Sequence, residues 1–198
     1  CSKYKNKQFF NLTVGGKGRT GPIISAELYL EKINSNKILQ KALHFSNYKE
    51  FFFQLSKIKN YKYSFCWIDF TKKNLSGIIF VGSHIGNKNI IKFKFNDYKL
   101  PETLMKNLDF FLNNRLFTIL FNKIFKYKYL IFNNKITDIN SFYFPQNKLL
   151  NWNDLFKKRG FVQFNFFFKK KNLKKIIESL KKELRLNNLY SNFVVIKF

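Results

Sequence analysis

Charge limits this chain more than any other feature: 37 Lys and Arg stand against 11 Asp and Glu, a formal net charge of +26 over 198 residues. Even with every carboxylate paired, 26 cations would remain, and like charges confined in a compact state repel one another. Yet 45% of the residues are apolar, far from the sparse composition of a disordered tail, so a real core is expected. A globular fold held against such repulsion implies counter-charge close by, and nucleic acid is the densest polyanion in a cell.

The way the charge is supplied narrows the setting. Only Arg19, Arg115, Arg159 and Arg185 are arginines, although the guanidinium fork is the better phosphate ligand. Ala occurs only at positions 26 and 42, whereas Phe alone contributes 27 residues. Lys, Asn, Ile, Tyr, Leu and Phe are what A/T-rich codons encode, which points to an organellar, mitochondrial gene. A nuclear gene of an A/T-rich organism would leave the same mark. Cys66 lies in the apolar run Phe65-Cys66-Trp67, far from Cys1, and reads as a buried free thiol in a reducing compartment. The most apolar stretch, Leu116 to Phe132, is interrupted by Lys123, Lys126 and Lys128, so no membrane span is expected. No Arg- and Ser-rich leader opens the chain, and the missing initial Met points to truncation, processing or an unusual start codon.

Periodicity predicts the elements. Residues 1–21 read as an extended basic arm, and Ile23 to Ile33 as a short helix. From Lys37 the pattern is regular: a strand at Ile38 to Phe45, N-cap oxygens at Ser46 and Asn47, and a helix carrying Phe51, Phe52, Leu55 and Ile58 on one face. Tyr61 to Phe70 and Leu75 to Val81 form a hairpin around a basic turn, Thr71 to Asn74. A polar loop (Gly82 to Asn89) leads to a short strand at Ile90 to Phe95. Pro101 then opens a helix to about Leu112, and Leu116 to Phe121 closes the segment as a strand. The order β, α, hairpin, α, β predicts an α+β fold with a ferredoxin-like split βαβ core and helices on one face of a small sheet. Beyond it come an aromatic strand (Phe125 to Phe132), a loop around Pro145 and a βαβ-like tail. The tail consists of a strand at Phe161 to Phe168, a basic amphipathic helix from Leu173 to about Leu186 and a strand at Phe193 to Phe198. Three regions follow: an N-terminal arm and helix (1–37), the core (38–121) and a C-terminal extension (122–198), with no internal repeat.

Residues 67–84, WIDFTKKNLSGIIFVGSH, resemble the hairpin signature of the ribosomal protein S10 family, P-I-P-L-P-T-basic-basic-x-x-F-T-V-L-x-S-P-H. Ile68, Phe70, Lys73, Asn74, Ile78 to Val81 and His84 fall on its positions without gaps. Ile85, Asn87 and Lys88 follow the family's V/I-N-K with Gly86 inserted, and PETLMKNLDF (101–110) is similar to its second helix after a shift. The hairpin prolines are absent; Trp67, Asp69 and Ser83 stand at three of them. The resemblance covers roughly residues 38–121. It implies a structural, non-catalytic protein of the small-subunit head, partnered by small-subunit rRNA and neighbouring ribosomal proteins.

Candidate RNA contacts follow from donor chemistry. Lys72 and Lys73 project from a short turn bounded by aromatic strands, suited to reach phosphates without a loop-ordering cost. Ser83, His84, Asn87 and Lys88 bring a hydroxyl, an imidazole, an amide and an ammonium to one loop. Lys17 and Arg19 sit in GGKGRTG, where glycine lets backbone approach a phosphate. That segment fits no Walker loop; GRTG is similar to the G-x-x-G loop of KH domains, but Pro22 and the weak strand before it argue against a full KH fold. Lys170 and Lys174 belong to a basic cluster, with Lys169, Lys171, Lys175, Lys181 and Lys182, whose helix is pinned to a core by Ile176, Ile177, Leu180 and Leu184. Solvated turns and faces are the plain alternative for each of these sets.

Neither His44 nor His84 has Cys, Asp or Glu at ligand spacing, so no metal is expected. No nucleophile context or carboxylate pair appears, so neither enzymatic activity nor a cofactor is expected. The leading expectation is an rRNA-binding constituent of the mitochondrial small ribosomal subunit. Its rivals are another organelle-encoded ribosomal protein and a basic accessory subunit of a respiratory complex, which would have no need of +26. A nuclease ranks third, for want of clustered carboxylates to hold Mg²⁺.

Overall fold

The Lys37–Phe45 run forms the strand β1, which buries Ile38, Gln40, Ala42, Leu43 and Phe45 and exposes Leu39 and Lys41. The computed structural model describes residues 1–33, 35–86, 114–144, 162–189, 191 and 193–198. It divides into two compact units, 1–32 and 33–198. In the first, α1 (Lys7–Thr13) replaces the arm expected to be extended, and Ile23 to Ile33 carries no helix. Apolar spacing suggested that helix, but Ile24, Leu28, Tyr29 and Leu30 are all largely exposed, so the apolar pattern there does not mark a buried face.

The second unit continues with α2 (Tyr48–Lys57), β2 (Tyr63–Ile68), β3 (Gly77–His84), α3 (Arg115–Ile131), β4 (Asn134–Asp138), α4 (Ile139–Tyr143), α5 (Leu173–Leu186) and β5 (Val194–Lys197). Asn47 caps α2 as expected. Its side chain accepts from the Glu50 amide at 2.8 Å, while the Glu50 carboxylate accepts from the Ser46 amide, one residue before the cap, at 2.7 Å, a variant of the capping box. The strands make one antiparallel sheet ordered β4-β1-β3-β2-β5. The class is α+β.

Alternation gives the sheet two apolar faces. On one, Phe45, Cys66, Ile68, Ile79 and Val81 pack against Phe51 and Leu55 of α2 and Leu173 and Ile177 of α5. On the other, Ile38, Ala42, Trp67, Ile78 and Phe80 pack against Tyr129 of α3 and Phe142 of α4. Helices thus cover both faces, whereas the split βαβ pattern predicted them on one. Gly77, paired with Ile68 of β2 and Phe45 of β1, leaves room that a side chain would close, since a Cβ there would collide with the Trp67 carbonyl and the Phe45 ring.

Three predicted strands are corrected. Leu116 to Phe121 and Phe125 to Phe132 lie largely within one 17-residue helix, α3, capped by Asn114. The buried Thr118, Asn122 and Tyr129, with Phe125 against the same cluster, recur at i, i+4, i+7 and i+11, a helical stripe. β4 instead supplies the closing strand. Residues 162–168 form no strand. The helix predicted from Leu173 and the final strand both form, and β5 pairs with β2, so the tail's last strand extends the core sheet. The strand at Ile90 to Phe95, the Pro101 helix and the Pro145 loop lie outside the described residues.

Candidate nucleic-acid interface

The turn between β2 and β3, Thr71 to Asn74, is fixed from both sides. Inside, Asp69 is 2% exposed. It accepts from the Thr71 amide at 3.0 Å, the Thr71 hydroxyl at 2.5 Å and the Asn122 amide of α3 at 2.8 Å. Lys126 of α3 donates to the Ser76 hydroxyl at 2.8 Å. Burial lowers the Lys126 ammonium, Asp69 opposes the shift and Lys72 adds to it. Outside, the Lys181 ammonium of α5 donates to the carbonyls of Lys72, Lys73 and Asn74 at 2.8, 3.2 and 3.2 Å. Three carbonyls account for all three of its protons. Burial lowers this ammonium too, and neighbouring Arg185 lowers it further. Lys72 and Lys73 are left exposed on a turn that has little freedom to lose.

Tying α5 to the turn creates a groove of about 480 Å³. Lys73 and Asn74 form one wall, Glu178, Lys181, Lys182 and Arg185 the other, and Asn47 and Tyr48 from the start of α2 close an end. Four cations thus face one carboxylate. Glu178 pairs with Lys174 at 3.9 Å, and the Lys174 ammonium lies 5.4 Å from the centre of the Tyr48 ring. Burial, with Glu178 nearby, pushes the Tyr48 phenol up to about 12, so at neutral pH its hydroxyl remains a donor.

The predicted contact residues fall into separate places. Lys72 and Lys73 lie on the turn and Lys174 in the first turn of α5, and of the three Lys73 lines the groove; Lys170 is exposed in the 3₁₀ turn leading into that helix. Ser83 and His84 belong to β3 rather than to a loop, and alternation sends their side chains to opposite faces. The His84 Nε2 bonds the Tyr63 hydroxyl at 2.7 Å. Asn87 and Lys88 lie outside the described residues. Lys17 and Arg19 are exposed in the first unit, where GGKGRTG forms successive turns: Gly16 N–H donates to the Thr13 carbonyl at 3.0 Å and Arg19 N–H to the Gly16 carbonyl at 3.1 Å.

Sequence reasoning missed Tyr48, Asp69 and Arg185 as parts of the site. Arg185 carried a signal, being one of four arginines and four residues from Lys181 on a predicted helix. Asp69 and Tyr48 carried none, because their partners lie on distant segments. Among the described residues no group of three or more His, Cys, Asp and Glu is placed to hold a metal ion. No described helix is long and apolar enough to cross a membrane. Comparison with protein-family models, curated proteins and solved structures found no match.

Proposed function

We propose that this chain is an rRNA-binding structural protein of the mitochondrial small ribosomal subunit, similar to ribosomal protein S10 and lodged in the subunit head. The observation that carries the reading is the basic groove, where Lys73, Lys182 and Arg185 stand on two elements locked together through Lys181. Four cations around one carboxylate on a pre-ordered surface suit a polyanion, which gains counterion release without an ordering cost. The strand order β4-β1-β3-β2 supports a ferredoxin-like split βαβ core, and the hairpin resemblance supports the S10-like reading of that core. Small-subunit rRNA and neighbouring head proteins are the proposed partners, with no enzymatic step.

Gradient sedimentation of mitochondrial lysate with and without RNase tests this. The chain is expected to travel with the small subunit and to leave it when rRNA is digested. Cofractionation with a respiratory complex, unchanged by RNase, would overturn the proposal. Charge reversal at Lys72 and Lys73 is expected to weaken incorporation into the subunit.

A further inference from the structure

We propose that the groove between the β2–β3 turn and α5 seats one unpaired nucleotide of RNA, its phosphate among Lys73, Lys182 and Arg185 and its base or sugar toward Tyr48. The inference rests on the RNA-binding reading above and specifies what part of the RNA the groove takes.

Size comes first. A volume of about 480 Å³ falls in the range of sites that enclose small ligands, roughly 300–1,000 Å³. Walls contributed by three separate elements admit a splayed nucleotide but not the flank of a duplex, and unpaired bases are what RNA-binding surfaces take into such recesses. Chemistry comes second. The groove joins the protonated Tyr48 hydroxyl, on a ring already stacked against Phe52 and lying by the Lys174 ammonium, to a guanidinium, Arg185, and to ammonium groups, a set that can hydrogen-bond a base or sugar edge while pairing with its phosphate. Arg185 is one of only four arginines in the chain, and it lines the groove, where a guanidinium fork is the side chain best suited to a phosphate.

The remaining residues limit occupancy. Lys181 is a positioning residue, since its protons are spent on three turn carbonyls; its part is to tie the two walls together at a fixed separation. Glu178 places one carboxylate among the cations, which disfavours a second phosphate and disfavours an acidic peptide, whose side chains would crowd that carboxylate along their length.

The test uses the full chain and fluorescence anisotropy with a labelled single-stranded hexanucleotide RNA, a duplex of the same sequence and an oligo-glutamate competitor. Lys182→Gln with Arg185→Gln is compared with Lys59→Gln with Lys123→Gln, two exposed lysines outside the groove. Both double variants remove two charges, and circular dichroism checks that both fold. The groove variant is expected to lose at least tenfold in single-strand affinity and the control no more than about threefold, with duplex affinity falling equally in both. Lys181→Met is expected to reproduce the groove variant's loss and Lys181→Arg to recover most of it. Photo-crosslinking of bound RNA is expected to modify the peptide containing Tyr48. Equal single-strand losses in the two double variants would overturn the seat while leaving RNA binding by the wild-type chain intact. Oligo-glutamate displacing RNA at lower concentration than RNA itself would assign the groove to an acidic protein instead. If the wild-type chain bound no RNA, the broader reading would fall with it.

Discussion

Asp69 shows what one side chain does for the interface. It is fully enclosed and accepts from two groups on the turn and one on α3. Asp69→Ala leaves the buried Asn122 amide without its acceptor and releases the half-exposed Thr71 donors, at a cost of about 1–3 kcal/mol. Urea denaturation measures it, and a cost under about 1 kcal/mol would show that the turn does not depend on this carboxylate. The sequence displays Asp69 as one polar position in an alternating strand; its partner Asn122 is 53 residues away, beyond any local pattern. Cys66 was legible, because its apolar neighbours placed it in the core. It is fully buried, and burial pushes its thiol well up. A thiolate-specific reagent is therefore expected to label one cysteine per chain, the exposed Cys1, before denaturation and two after. His44 supplies the pH dependence. Burial lowers its pKa, its bond to the Tyr129 carbonyl opposes that, and Lys126 adds to it. The unfolded chain therefore takes up the proton first as pH falls below about 6.5, so His44's contribution is complete above that pH and declines below it. Stability is expected to fall between pH 7 and pH 5, and to fall less in His44→Gln; equal slopes would show that His44 is not the source.

At the scale of elements, α2 and α5 were readable because each buries one helical stripe, and β1, β2 and β3 because each is a short apolar or aromatic run bounded by polar turn residues, with β3 buried on both faces. The helix α3 was not. Its residues Phe117, Phe121, Phe125, Tyr127 and Tyr129 have high strand propensity, and short windows of them resemble strands. Its inner stripe also contains Thr118 and Asn122, polar residues that no hydrophobic pattern counts as core. The exposed Leu116, Leu120, Ile124 and Tyr127 completed the misreading by presenting an apolar face where none is buried. Two substitutions two residues apart separate the alternatives, since a strand would put positions 127 and 129 on the same face and the helix does not. Tyr129→Ala, which removes a 9% exposed ring packed edge-on to Phe80 at 4.7 Å, is expected to cost about 3–5 kcal/mol. Tyr127→Ala, at 64% exposure, is expected to change stability by about 0.5 kcal/mol or less. Similar losses at both positions would contradict the helix. The groove had the same limit: each wall was visible in sequence as a basic turn or a basic helix, but Lys181 meeting three carbonyls across more than a hundred residues was not.

For the whole molecule, the charge that bounded the sequence also governs the stability of the folded chain. The 11 carboxylates are too few to neutralise 37 cations, and one of them, Asp69, is buried in hydrogen bonds to neutral groups. Glu178 and Lys174 pair at the surface, where ion pairs contribute little. Net repulsion among the remaining cations therefore opposes the compact state, and screening should relieve it. At about 10 mM salt the Debye length is roughly 30 Å, spanning much of a domain, while at about 150 mM it is roughly 8 Å. Thermal unfolding of the isolated chain should consequently move upward by several degrees as NaCl rises across that interval. Added RNA at the low-salt end should give a further rise, because a ligand that binds only the folded state stabilises it by mass action. That RNA effect should shrink as salt rises, since counterion release weakens phosphate binding in the same buffer that screens the repulsion. A free-chain transition that rises with salt while the RNA-induced increment shrinks distinguishes a fold strained by its own charge and relieved by its partner from one held together by surface ion pairs, for which the free-chain transition would fall with salt.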